Sequence, residues 1–222
     1  MKEFILTFEN ELKKHSNVQI ALEQKAYLRN QFEFYGLKTT DRRAIQKPFL
    51  IRAYLPEKKE LHKLVKILWK RPQREYHYFA QELAFKYINQ LEKDDIKLFE
   101  WMVLHKSWWD TVDFIANKLM GAYFKVYPEQ KQEYVQKWLQ SNNIWLQRSA
   151  LLFQLKYKQE VDTSLLSTII NKLSGSKEFF INKAIGWVLR EYSQTNPDWV
   201  TEFVNKTALN ALSKKEALRL MK

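Results

Sequence analysis

The chain has no cysteine at all, which excludes disulfides, thiolate zinc sites, iron–sulfur clusters and a cysteine nucleophile. Histidine is scarce as well. His15, His62, His77 and His105 are the only four, and none stands in an H-x-x-x-H or H-E-x-x-H spacing, so no metal and no cofactor are expected. Only 4 glycines and 5 prolines are spread over 222 residues, and runs of strict polar–apolar alternation are nearly missing. The turn chemistry of hairpins is therefore lacking, and with 45% hydrophobic residues the pattern predicts an all-α chain. No window approaches about 18 consecutive apolar residues, and the opening apolar stretch is broken by Glu9 and Glu11. A soluble, cytoplasmic protein is expected.

What the chain does have is positive charge. Thirty-seven Lys and Arg stand against 25 Asp and Glu, a formal net charge of +12. Such an excess points to a polyanion partner if it is clustered. A membrane surface is the weaker reading, because no helix at either end sets Lys on one face against large apolar residues on the other.

Helical patterns follow one another with short breaks, at 3–14, 18–35, 40–54, 57–70, 73–90, 93–106, 108–127, 130–140, 143–158, 162–174, 178–194, 197–207 and 213–221. None of the breaks is long enough for a flexible linker, so 1–222 reads as a single domain. The helices also repeat. At an offset of 35, Trp145-Leu146-Gln147-Arg148 falls on Phe180-Ile181-Asn182-Lys183, Tyr157 meets Tyr192, and Asp113 meets Arg148. Helical pairs of this length predict a curved solenoid of HEAT-like repeats whose concave side is an extended binding surface. A compact bundle is the weaker alternative for so many short helices.

Residues 106–113, Lys-Ser-Trp-Trp-Asp-Thr-Val-Asp, set acids among aromatics in a basic protein. Ser107 and Asp110 have capping-box spacing, which would employ Asp110 at the helix start. Asp113 has no such task. It lies one turn from Trp109 on the flank of a core stripe made by Trp108, Val112, Ile115 and Leu119. In 178–194, Ile181, Ile185, Val188, Leu189 and Tyr192 form the apolar face, while Phe180, Lys183, Trp187 and Arg190 share another. An aromatic between two cations suits a nucleic-acid groove, with Gly186 permitting close approach, but Trp187 could equally pack on a neighbouring helix. Arg148, Leu152 and Lys156 fall in line one turn apart, so Arg148 is expected to be buried and to need either Asp113 or an external phosphate. Thr39 or Thr40 is expected to cap a helix that opens with Asp41-Arg42-Arg43, a start suited to phosphate.

The segments 106–113, Asn-Ile-Trp-Leu-Gln-Arg at 143–148 and Ser-Lys-Glu-Phe-Phe-Ile-Asn-Lys-Ala-Ile-Gly-Trp-Val-Leu-Arg-Glu-Tyr at 176–192 resemble the AlkD family of DNA alkylation repair glycosylases. The resemblance spans almost the whole chain. It includes Tyr27 and Phe-Tyr-Gly-Leu-Lys-Thr-Thr-Asp-Arg-Arg at 34–43, where Thr40 replaces the family's usual Pro. It implies a HEAT-like stack holding duplex DNA in a concave cleft and hydrolysing the N-glycosidic bond of bases alkylated at N3 or N7. It also implies Asp113, Trp109 and Trp187 at the reaction centre and Arg148 on the lesion-strand backbone. Lys183, Arg190, Lys156, Tyr27, Thr39 and Arg43 complete the expected DNA contacts.

An N3- or N7-alkylated purine is cationic and already a good leaving group. The need is then to stabilise oxocarbenium character on the deoxyribose, a task for one carboxylate and electron-rich ring faces. The resemblance further implies that the base is not flipped into a pocket, and that hydrolysis is monofunctional although Lys183 stands near enough to be weighed as a Schiff-base nucleophile. Neutral lesions such as uracil are expected to be poor substrates. The rival readings are a non-catalytic HEAT-like module for damaged or branched DNA and a protein–protein scaffold. A monomer is expected, since no heptad seam is present.

Overall fold

The computed structural model describes residues 2–221. Among them every regular element is helical, and the only sheet-type pairing is an isolated bridge between Glu33 and Gln73. The all-α expectation therefore holds. Among the described residues no helix is long and apolar enough to cross a membrane. The chain divides into two compact units, Met1–Leu91 and Glu92–Lys222.

The first unit contains α1 (Lys2–Lys14), α2 (Val18–Tyr27), α3 (Thr39–Gln46), α4 (Leu61–Trp69) and α5 (Arg74–Phe85). Its core is aromatic: Phe8 and Phe79 are fully buried with ring centroids 4.1 Å apart, and Phe4 and Phe49 close around them. Each such buried ring contributes about 1.5–3 kcal/mol. The helix expected over 18–35 ends at Tyr27, because Arg29 and Asn30 turn into the left-handed region at φ 55° and 59°. The chain then runs back over 31–38. At Gly36 (φ 88°) a Cβ would lie 1.9 Å from the Asn17 carbonyl oxygen, so only glycine fits. The buried Glu75 carboxylate fastens this return, accepting backbone N–H bonds from Tyr35 (3.0 Å), Gly36 (3.0 Å) and Leu37 (3.4 Å) through Oε1. Burial raises its pKa, and the backbone donors oppose the rise. The patterns at 40–54 and 57–70 are likewise shorter as α-helix, with 3₁₀ turns Lys47–Leu50, Arg52–Tyr54 and Lys58–Glu60 between α3 and α4.

The second unit is a stack of helical pairs. One layer comprises α6 (Asp95–Leu104), α9 (Lys131–Gln140), α11 (Thr163–Leu173) and α13 (Pro197–Lys206). The other comprises α7 (Trp109–Phe114) continued by α8 (Gly121–Val126), then α10 (Ile144–Leu152), α12 (Phe179–Ser193) and α14 (Ala211–Ala217). The helices of this second layer start at 109, 144, 179 and 211, successive offsets of 35, 35 and 32. The repeat read from side-chain types is thus the physical repeat. Asn143 caps α10 by accepting from Trp145 N and Leu146 N, and Asn196 caps α13 ahead of Pro197.

Bonds between residues about one repeat apart tie the pairs together. Glu100 accepts from Trp138 Nε1 at 2.6 Å and from Lys137 at 2.8 Å, Lys125 pairs with Glu160, and the Tyr157 hydroxyl donates to the Gly121 carbonyl. Between α7 and α8 the helix widens into a π segment, Ile115–Met120. Beyond Leu152 the chain leaves the helix, with Gln154 bonded to both backbone groups of Asp162, so the pattern expected over 143–158 is α-helical only to 152.

Candidate active site

Asp113 sits near the end of α7, one turn from Trp109. Its carboxylate faces Arg148 of α10 in a two-pronged pair, Nε to Oδ1 at 2.7 Å and Nη2 to Oδ2 at 2.8 Å. The side chains are 15% and 5% exposed, and Arg148 Nη1 also donates to the Phe180 carbonyl on α12. Of the two partners left open for Arg148, the internal one is occupied. Burial raises the Asp113 pKa, the Arg148 hydrogen bonds and charge oppose the rise, and Asp110 adds to it.

Around this pair stands an aromatic wall contributed by the starts of three successive repeats. Trp108 lies 5.6 Å from Trp145 and 5.4 Å from Phe180, and Trp145 lies 5.0 Å from Phe180. Trp108 Nε1 is buried with no hydrogen-bond partner. Val112, Ile115 and Leu119 are buried as the core stripe requires, but Trp108, at its head, is only half-buried. The expected capping box does not form: Ser107 Oγ donates back to the Val103 carbonyl at 2.6 Å, and the N-cap residue is Trp108.

On α12 the expected faces are as read. Ile181, Ile185, Val188, Leu189 and Tyr192 are buried, whereas Phe180, Lys183, Trp187 and Arg190 are half-buried. Trp187 stands two turns beyond Phe180, about 10 Å along the axis. The cations beside it are not free. Lys183 and Arg190 both pair with Glu216 of α14. Gly186 serves this contact rather than an outside approach, since a Cβ there would meet Glu216 Cβ at 2.5 Å. Lys156 lies past the end of α10, off the line expected with Arg148 and Leu152, and pairs with Glu191 at 2.5 Å.

Tyr27, Thr39 and Arg43 belong to the first unit. Tyr27 is 71% exposed at the end of α2, and Thr39 is exposed at the start of α3. The N-cap of α3 is Lys38, without a side-chain cap, so neither Thr39 nor Thr40 caps it as expected. Arg42 is buried against Glu82 at 3.1 Å, which leaves Arg43, 63% exposed, as the outward arginine of that start. Sequence reasoning missed Glu216 and Glu191. The pairing of Lys156 with Glu191 at a separation of 35 was available from the repeat, but Glu216 lies in the last, offset pair.

Repeated helical pairs with a charged, tryptophan-bearing layer define a class of helical-repeat protein, and comparison supplies the family. A family model described as DNA alkylation repair enzyme matches residues 8–221, and the chain belongs to that family. A solved structure described as a predicted DNA alkylation repair enzyme from Enterococcus faecalis is 31% identical, with a TM-score of 0.86 over 93% of this chain and 96% of that one. No curated protein matches. The role is accordingly in the repair of alkylated DNA.

Proposed function

We propose that the protein is a monofunctional DNA glycosylase that hydrolyses the N-glycosidic bond of cationic N3- or N7-alkylated purines in duplex DNA. The observation that carries this reading is the Asp113 carboxylate, fixed by Arg148 one turn from Trp109 in a chain of this repair family. Arg148 takes one lone pair from each Asp113 oxygen, and each oxygen keeps another for a developing sugar cation and the attacking water. Bond cleavage sends the electron pair to the purine, which leaves neutral. Water adds to C1′ and gives up a proton to the Asp113 carboxylate, which passes it on to solvent.

Trp109 and Trp187, both half-buried, have ring faces for the same sugar, worth about 0.5–2 kcal/mol each as charge develops. Arg148 acts in this reading by holding Asp113, and Tyr27, Thr39 and Arg43 are the outward contacts to DNA. The ammonium of Lys183 is held by Glu216, which favours hydrolysis over a Schiff base. The test is release of free base from a duplex with one 7-methylguanine, comparing the intact protein with Asp113→Asn at equal DNA occupancy. Release lost in the variant while binding persists supports the reading, and tight binding without release by the intact protein overturns it.

A non-catalytic DNA-binding module is the second reading, and the same pair is compatible with it. A carboxylate neutralised by a bidentate arginine repels phosphates little, so Asp113 alone does not argue against a pure binder.

A further inference from the structure

Glu216 comes from α14, a short helix near the C-terminal end of the described chain. It is 8% exposed, yet three cations converge on it: Lys183 at 2.5 Å, Arg190, and Arg219 at 3.5 Å. Two of them flank Trp187 on α12, four residues before it and three after it. The backbone is shaped for this contact. Gly186 leaves room for Glu216 Cβ and the Ser213 carbonyl, and Ser213 Oγ donates to the Asn182 carbonyl at 2.8 Å, docking α14 on α12.

We propose that Glu216 is a positioning residue for the Trp187 face, holding Lys183 and Arg190 against α14 and so withholding both cations from DNA phosphates. The inference rests on the proposed reading that this face meets DNA. Two cations two turns apart on one helix repel each other, and without a carboxylate between them they turn to the nearest anion, which on DNA is a phosphate. Pulled toward the backbone, they shift the tryptophan between them away from the sugar. Glu216 thus exchanges affinity for placement: its loss makes the protein bind duplex DNA more tightly and act on it more slowly. A residue that only supported the fold would weaken both.

The experiment measures the dissociation constant of an undamaged duplex across a potassium chloride series, and the single-turnover release of 7-methylguanine at saturating protein. For Glu216→Gln, binding is expected to tighten about threefold to tenfold at low salt, with the log–log salt slope steeper by about 1–2. Release is expected to slow about tenfold, the equivalent of ~1.4 kcal/mol. Unchanged or weaker binding by a variant with wild-type circular dichroism overturns the proposal.

Lys183→Gln, with Glu216 intact and the lysine 41% exposed, decides the matter if Glu216→Gln does not fold. An unchanged salt slope supports the proposal, and a slope shallower by about 0.9 places Lys183 on a phosphate and overturns it. If the intact protein binds duplex DNA but releases no base, the glycosylase reading fails, while the salt slopes still decide whether Glu216 withholds the two cations.

Discussion

Arg148 and Asp113 meet edge to edge, two nitrogens on two oxygens, across one repeat of the helical stack. The pair joins a residue of α7 to a residue of α10 and, through the Phe180 carbonyl, to the start of α12. Three consecutive helices of one layer are thereby pinned at the carboxylate proposed for catalysis.

Because burial lifts the Asp113 pKa above the ordinary 3.8, the folded protein keeps that proton to a higher pH than the unfolded chain does. The group's contribution to stability is therefore greatest below the unfolded value and declines as pH rises through the folded one. Activity runs the opposite way, since it needs the ionised carboxylate. The single-turnover rate of 7-methylguanine release, corrected for spontaneous loss, should fall with acid at a pH above 3.8, and Arg148→Gln should move that limb higher. A limb unmoved by the substitution would contradict the role given to Arg148.

Removing one member of a buried pair strands the other. Arg148→Met is expected to cost about 3–5 kcal/mol of stability, and adding Asp113→Asn should recover at least ~1 kcal/mol of it by removing the stranded charge. Urea denaturation of the two single variants and the double variant measures the coupling. Additive costs would mean that the bonds seen between them carry no shared energy.

Two glycines offer a matched comparison. A Cβ at Gly121 would lie 2.4 Å from the Phe153 carbonyl oxygen, backbone against backbone, whereas a Cβ at Gly175 meets nothing within 4 Å. Gly121→Ala should destabilise by about 1–3 kcal/mol, lowering the melting temperature by roughly 2–12 °C. Gly175→Ala should be neutral, or stabilising by about 0.4–1 kcal/mol through the unfolded state. Thermal melts of both variants check this.

At Glu75 the charge and the hydrogen bonds can be separated. Glu75→Gln retains an oxygen for the amides of Tyr35, Gly36 and Leu37 and removes a charge that burial disfavours, so its cost should stay within about 1 kcal/mol. Glu75→Ala orphans the amides and should cost at least ~2 kcal/mol. Amide hydrogen exchange at residues 35–37 should accelerate only in the alanine variant.

Leaving-group charge supplies a test of the chemistry. A duplex with uracil in place of 7-methylguanine should yield base slower by at least about a hundredfold, the scale of a missing general acid. Comparable release of the two bases would require a proton donor not identified beside Asp113.

Much of the second unit was legible because its order is periodic. Side-chain types at an offset of 35 located the helices carrying Asp113, Arg148 and Lys183, and the α12 faces followed from the 3.6-residue period alone. What escaped has physical reasons. The end of α2 is set by two left-handed residues, Arg29 and Asn30, and the return that follows is held at Tyr35 by the carboxylate of Glu75, forty residues further on, neither of which alters local hydropathy. The Ser107 cap failed because a hydroxyl can also return to the helix before it, and that bond won. The partner of Lys183 is Glu216 because the last offset shortens to 32, and a repeat read from the interior cannot anticipate how the final pair closes.

The π segment at Ile115–Met120 directly follows the turn that carries Asp113. A π turn holds one residue more than its α counterpart. A chain one residue shorter there would regain ordinary pitch with the turns on either side in nearly the same phase, because the widened turn already absorbs the extra residue. Asp113 would keep its aim at Arg148, whereas the same loss from an uninterrupted α-helix would rotate everything before it by about 100° around the axis. The stretch Ile-Ala-Asn-Lys-Leu-Met thus holds a spare residue, a slack in length that lets this helix lose one position without turning the carboxylate away.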